Sequence, residues 1–309
     1  MGKKEVEATL LSSGWPKGII HDYLQSAFRS FAGKLCVEDV KKSFDRPVLS
    51  SVSFTVRAGE IFGVSGPSGS GKSTLLNLLV GFIRPDAGRI YITKDDQQLN
   101  IDQATNFFGL STQTPSVYKD LTVVENLLHF GTLYQLEPPE ARRRAEKLVK
   151  MVGLASSSDV LASNLSGGML KRLDIACALI NNPYILILDE PTTGLDEHLR
   201  HALWSLIKEI NQKGTTVIVA SHFVDEIGVL CDRMCYINQG TVREVDPTAA
   251  YRITLQTKSA KYGSLKGMGK KQGDDYVIIT RDPQRALAMI SSSLAGEHIT
   301  LLGLSPHIK

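Results

Sequence analysis

The chain reads as an α/β protein, a mostly parallel sheet with flanking helices and a small α+β appendage at its carboxy end, and three features say so. From residue 35 to about residue 245, short apolar runs of strand length alternate with longer amphipathic stretches, the pattern of strands crossing over through helices. A glycine-rich segment, residues 66–73, stands between one such run and the start of a helix. The 309 residues, 42% hydrophobic and 22% charged, have the composition of a folded chain of about two domains and not of a disordered or collagenous one.

Taken in order, Ile20, Leu24, Phe28 and Phe31 recur at helical spacing after a break at Gly14-Trp15-Pro16. They predict two short amphipathic helices over residues 1–33, too small to bury a core, that brace the body or meet a partner. Val52, Phe54 and Val56 alternate with polar residues as a strand does, and residues 60–64 form a short apolar strand that leads through the glycine-rich turn into a helix over 72–82. A strand follows at 107–111, and Thr122 with Glu125 forms a capping box opening a helix to about residue 136. Pro138-Pro139 starts another. Helices over 140–152, 168–180 and 197–213 are interleaved with buried strands at 184–188 and 216–220, and a hairpin turning at Gln239-Gly240 joins 234–238 to 241–245.

The last stretch changes pattern. Tyr251, Ile253 and Leu255 face one way on a strand; a loop with Lys258, Lys261, Lys266, Lys270 and Lys271 follows, then a strand at 276–280, a helix from Asp282-Pro283 and a strand at 299–304. Residues 1–33, 34–246 and 247–309 are thus expected as an extension, a main domain and a β-β-α-β domain.

Lysine and arginine (35) barely exceed aspartate and glutamate (32), so the net charge of +3 is too small for a whole-protein grip on nucleic acid, and no such partner is expected. The longest apolar-rich run, residues 75–83, is interrupted by Asn77 and Gly81 and falls short of the ~18 residues of a spanning helix. No export or lipid signal is visible at the amino end. Cys36, Cys177, Cys231 and Cys235 sit in apolar segments as free buried thiols do in a reducing compartment, and no second pair turns Cys231 and Cys235 into a metal site.

Chemistry concentrates in three places. Gly66-Pro67-Ser68-Gly69-Ser70-Gly71-Lys72-Ser73, with Thr74 behind it, matches the phosphate-binding pattern G-x-x-x-x-G-K-[ST] in the right context, between strand and helix. Glycines let successive N–H groups turn inward on a phosphate, Lys72 reaches its oxygens, and the Ser73 hydroxyl ligates Mg²⁺. The buried strand 185–188 ends in Asp189-Glu190, an acid pair in which Asp189 holds the metal and Glu190 polarises the attacking water. Ser166-Gly167-Gly168 opens an apolar helix without a lysine and reads either as a second anion seat or as a plain helix cap.

In this order the motifs resemble the nucleotide-binding subunit of ATP-binding-cassette (ABC) transporters, over residues 37–245. The resemblance implies a P-loop NTPase fold with an antiparallel β subdomain and a helical subdomain, and ATP with Mg²⁺ as ligands. It also implies roles: Phe44 as the aromatic under adenine, Gln113 as the sensor of Mg²⁺ and water, and residues 165–169 as the signature. Asp196 falls in the loop that crosses a dimer interface, and His222 is the switch histidine at the γ-phosphate. Two such cassettes would dimerise head to tail, ATP held by Lys72 of one meeting Ser166 and Gly168 of the other. Met169 stands where the family usually has glutamine and Phe44 where tyrosine is commoner, departures that touch affinity more than catalysis.

The carboxy-terminal pattern is similar to the extension of drug-resistance-type exporter cassettes. The reading that follows is an ATPase subunit at the cytoplasmic face of a membrane, driving an exporter through a separate transmembrane permease subunit, whose coupling helix the segment from Pro115 to Tyr118 would meet first. Two rivals, a soluble ABC switch on ribosomes or DNA and a regulatory module without turnover, are disfavoured. The chain has one phosphate loop and no heptad run, and Glu190 and His222 are both present.

Overall fold

The computed structural model describes residues 9, 11–13, 33–94, 97–247, 251–257, 269–272, 275–280, 286, 290 and 299–306. The helices expected before residue 33 and after Asp282 lie mostly outside the described residues, with residues 9, 11, 12, 286 and 290 helical, and Lys258, Lys261 and Lys266 lie outside them altogether.

The main body opens with two long strands, β1 (Gly33–Ser43) and β2 (Pro47–Arg57), paired antiparallel. Val52, Phe54 and Val56 face the core from β2 at the predicted alternation. β3 (Ile61–Ser65) enters the glycine-rich turn, and α1 (Lys72–Leu79) leaves it. α1 stops three residues earlier than the apolar pattern suggested, because Gly81 takes a left-handed φ of 78°. The N–H of Phe82 then bonds the Asn77 carbonyl, and that of Gly81 the Leu78 carbonyl, closing the helix end. A β-carbon at Gly81 would come within 2.8 Å of Ile101, so the stop needs glycine on both counts.

β4 (Ala87–Lys94) and β5 (Gln97–Asn100) extend the antiparallel part and were not legible as separate strands. β6 (Phe108–Ser111) precedes three helices: α2 (Val123–Leu133), α3 (Pro138–Met151) and α4 (Gly167–Leu179). The capping box at α2 is present in both directions, Thr122 accepting from the Glu125 N–H and Glu125 from the Thr122 N–H. β7 (Ile185–Asp189), α5 (Glu197–Gln212), β8 (Thr216–Ser221), a short unpredicted α6 (Val224–Leu230), β9 (Arg233–Asn238) and β10 (Thr241–Val245) complete the body. β9 and β10 form the expected antiparallel hairpin, its turn using Gln239 and Gly240 at positive φ.

These strands make one ten-stranded sheet in the order β5-β4-β1-β2-β10-β9-β3-β8-β7-β6, antiparallel at the β5 end and parallel from β9 to β6. Its central parallel strands, β3, β8 and β7, are buried on both faces. Leu186, Leu188, Val217 and Val219 join a core with α2 to α5, while Ile185, Ile187, Ile218 and Ala220 join another with α1 and the antiparallel strands. The β-branched runs that looked like central strands owe their uniform hydrophobicity to this double coverage.

A second sheet of four strands follows, in the order β12-β13-β11-β14, built from β11 (Tyr251–Thr257), β12 (Lys270–Gln272), β13 (Asp275–Thr280) and β14 (Ile299–Pro306). Lys270 and Lys271, expected in the loop, instead lie on the edge strand β12, paired with Val277 and Tyr276 of β13. An edge strand tolerates lysine, since one side of its backbone has no neighbour and charge deters further pairing, so polarity there imitates a loop. The four cysteines are free, and burial pushes the Cys177, Cys231 and Cys235 thiols up. Among the described residues no cluster of potential metal ligands of the His/Cys/Asp/Glu type occurs, and no helix is long and apolar enough to cross a membrane.

Candidate nucleotide site

Three neighbouring parallel strands end together. In the register of the sheet Ser65 of β3 lies opposite Ser221 of β8, and Asp189 of β7 opposite Ala220 of β8. The segments leaving these ends, residues 66–71, 190–193 and 222–223, therefore open onto one crevice at the carboxyl edge of the sheet, the place where such sheets bind ligands.

The glycine-rich turn supplies the first wall. Gly71, at φ 102°, is the N-cap of α1 and gives it no side-chain cap, so first-turn N–H groups stay available to an anion. At Gly66 a β-carbon would stand 2.4 Å from the Ile237 carbonyl oxygen, which restricts the position to glycine. Lys72 is buried, and its ammonium donates to the carbonyls of Gly66 (3.0 Å) and Pro67 (3.2 Å), curling back inside the loop. The buried Ser70 hydroxyl has no hydrogen-bond partner among the described residues, a polar atom open to a ligand oxygen.

The second wall is acidic. Asp189 and Glu190 are both buried. Burial pushes the Asp189 carboxyl above its ordinary range; the Ser73 hydroxyl, hydrogen-bonded to it, works against this and the neighbouring Glu190 charge adds to it. Asp189 Oδ1 is buried without a hydrogen-bond partner among the described residues. A hard divalent cation fits this donor set, because the Ser73 hydroxyl and the Asp189 carboxylate are the oxygen ligands Mg²⁺ prefers and one carboxylate oxygen is still without a hydrogen bond among the described residues.

Glu190 has a left-handed φ of 48°, uncommon for a residue with a β-carbon, and its N–H is fixed to the Ala220 carbonyl at 2.9 Å. That turn aims the carboxylate between two groups. Oε1 lies 3.5 Å from the Lys72 ammonium, and Oε2 lies 2.7 Å from His222 Nδ1 and accepts from the Thr193 hydroxyl at 3.3 Å. Lys72, Ser73, Asp189, Glu190 and His222 thus form one constellation.

The remaining predicted residues stand on other elements. Phe44, in the turn between β1 and β2, is 60% exposed, its ring under the Lys42 ammonium at 5.5 Å, and so offers an open aromatic face. Gln113 is exposed two residues beyond β6. Ser166 caps α4, accepting from the Met169 N–H, while nothing lies within 4 Å of where a β-carbon of Gly167 would be and Gly168 faces Leu199. Asp196 caps α5 by accepting from the Leu199 N–H at 2.9 Å. Both alternatives left open for the Ser166 segment survive, since a cap on one N–H leaves the other first-turn donors free.

Two polar clusters escaped sequence reading. Glu226 on α6 is fully buried behind the site and accepts from Trp204 Nε1 at 3.1 Å; burial raises its carboxyl, and the hydroxyls of Ser221 and Thr192 favour its charge. Lys171 and Asp174, on α4, are equally buried. The available signal was a charged residue inside an otherwise apolar helix, which takes three-dimensional partners to interpret.

Comparison with known proteins places this geometry. The family model described as ABC transporter matches residues 49–193. The chain is 41% identical over 203 residues to the Nod factor export ATP-binding protein I of Sinorhizobium fredii, an alignment covering 65% of this chain and 59% of that protein. Its counterpart in Paraburkholderia xenovorans is 39% identical over 214 residues, covering 69% of this chain and 70% of that one. Among solved structures, cbiO1 from Clostridium perfringens, part of an ABC transporter complex, superimposes with a TM-score of 0.63 at 27% identity, over 71% of this chain and 90% of that one. A dimeric ATP-binding cassette in a post-hydrolysis state with ADP and phosphate gives 0.61 at 29%, over 69% and 98%. With its phosphate loop, acid pair and histidine gathered at one sheet edge, the chain belongs to the ABC transporter ATP-binding family.

Proposed function

We propose that the chain is the ATP-hydrolysing subunit of an ABC exporter, residues 34–246 forming the nucleotide-binding unit and residues 247–309 an appendage. The observation that carries this reading is the placement of Glu190 between Lys72 and His222, beside the Ser73–Asp189 pair. The similarity to export ATP-binding proteins supports the direction of transport.

In this reading the N–H groups of residues 66–74 wrap the phosphates of ATP and Lys72 exchanges its loop carbonyls for phosphate oxygens, neutralising charge where it develops. Ser73, Asp189 and, from its loop, Gln113 would hold Mg²⁺, which would supply positive charge to offset that of the phosphates. Phe44 stacks on the base. Glu190 accepts the proton of the attacking water as its oxygen bonds to the γ-phosphorus and the bridge to the β-phosphate breaks. His222, in contact with Glu190 Oε2, keeps that carboxylate aimed and stands ready for a γ-phosphate oxygen.

Ser166, Gly167 and Gly168 face the nucleotide of a second copy, and Asp196 lies at the seam, so ATP closes a head-to-tail dimer and its hydrolysis releases it. The work is passed to a separate transmembrane permease subunit, with this chain peripheral on the cytoplasmic face.

The Glu190→Gln variant tests the reading. With MgATP it should run as a dimer in light scattering and retain unhydrolysed ATP, and it should co-purify with a detergent-solubilised membrane protein. Monomers under every nucleotide condition would defeat the dimer mechanism, and recovery on ribosomes would favour the soluble switch.

A further inference from the structure

We propose that Lys171 and Asp174 are positioning residues that lock the loop carrying Gln113 to the helix opened by Ser166, so that engagement of a nucleotide at Ser166 is transmitted to Gln113 of the same chain. This rests on the roles proposed above for Ser166 and Gln113.

The two residues are three apart on α4, hence on one face, and are 5% and 2% exposed. Lys171 Nζ donates to the Thr112 carbonyl at 2.6 Å. Asp174 uses both oxygens: Oδ2 accepts from the Ser111 hydroxyl at 2.5 Å and Oδ1 from the Ser116 N–H at 2.7 Å. The segment from Ser111 to Ser116 is thereby held at both ends and next to Gln113, while Gln113 itself stays exposed.

Two buried charges are an expensive way to fill space, and apolar residues of similar volume would pack α4 as well. What apolar residues cannot do is satisfy the backbone groups of an irregular segment leaving a sheet edge. Here the shape of that segment is set by side chains of α4. Burial disfavours the Lys171 cation, and the Asp174 charge beside it works against that, as do those of Asp189, Glu226 and Glu190. Ser166 lies five residues before Lys171, about 7.5 Å along the helix axis, so a shift of the α4 amino end carries the clamp, and the loop, with it.

The test is a mutant cycle on the full chain with MgATP as the probe. Lys171→Met should lower kcat about tenfold with KM changed less than about twofold, and Lys171→Arg, which keeps a donor for the Thr112 carbonyl, should restore it to within about threefold. Gln113→Ala should lower kcat alone, and adding Lys171→Met to it should cost nothing more. If the two losses multiply, or arginine fails to rescue, Lys171 is structural and the proposal falls. If Gln113→Ala leaves kcat unchanged, the parent reading of Gln113 fails first, a distinguishable result that removes the proposal's basis. Should Lys171→Met not fold, Ser111→Ala, which removes only a hydroxyl donor to Asp174, enters the same cycle with Ser111→Thr, which keeps the hydroxyl, as the rescuing variant.

Discussion

His222 Nδ1 and Glu190 Oε2 lie 2.7 Å apart although the residues are 32 positions apart in the chain, and the contact forms because β7 and β8 are parallel neighbours that end side by side. The imidazole is the half-open member of the pair, with 44% of its side chain exposed against 8% for Glu190, so it faces the crevice while the acid stays dry. Replacing it should free the carboxylate to rotate. His222→Ala is expected to lower ATP turnover by about 10²-fold with nucleotide affinity within about threefold of wild type, measured by phosphate release and by fluorescent-nucleotide titration. Turnover at the wild-type rate would remove His222 from the site.

Lys72 makes its contacts inside the phosphate loop, to the Gly66 and Pro67 carbonyls and toward Glu190. Lys72→Ala removes a charge-assisted donor to phosphate, so affinity should suffer directly, by about tenfold or more in calorimetric titration with ATP. An unchanged dissociation constant would show that the loop is not the phosphate site.

Asp189 carries a burial cost that function explains. Its carboxyl is raised chiefly by desolvation, so the folded chain holds that proton more tightly than the unfolded one. The sign follows: the penalty is absent below the unfolded carboxylate range of about 4, grows as pH rises through it, and is complete above the folded value. Asp189→Asn should therefore melt about 2–4 °C higher than wild type at pH 7 without nucleotide or Mg²⁺, a gain of about 1 kcal/mol, while losing Mg²⁺-dependent turnover. The melting difference should close toward pH 4. A variant less stable than wild type at neutral pH would mean that the carboxylate is stabilising in place.

The Thr122 cap offers a test free of the site. Both halves of its box are formed, and the exchange holds the first turn of α2. Thr122→Ala should cost about 1 kcal/mol in denaturant unfolding. A loss within error of zero would mean that the neighbouring backbone pairing of Val123 and Val124 to Val160 and Ser158 holds the turn alone.

Much of this was legible because it is local. The capping box at Thr122, the double-proline start of α3, the Gln239-Gly240 hairpin and the phosphate loop each place chemistry and conformation within a few residues, and each is found where the pattern put it. Elements whose identity comes from a distant neighbour were less visible. β4 and β5 are defined by pairing with β1 and with each other, and β12 was read as loop because an edge strand looks polar. Asp174 and Glu226 gave no hint of their role, since a buried acid acquires meaning only from the donors packed around it.

The amino-acid order by itself determined the kinds of groups and their local frames: a lysine behind a glycine turn, two acids after an apolar strand, a serine opening a helix. Only the tertiary structure decided that Lys72, Glu190 and His222 share one crevice and that Lys171 and Asp174 hold the Gln113 loop. The physical reason is that backbone conformation answers to neighbours along the chain, whereas which strand ends lie together depends on how the sheet orders β3, β8, β7 and β6, and that order is chosen by packing the two cores on its faces.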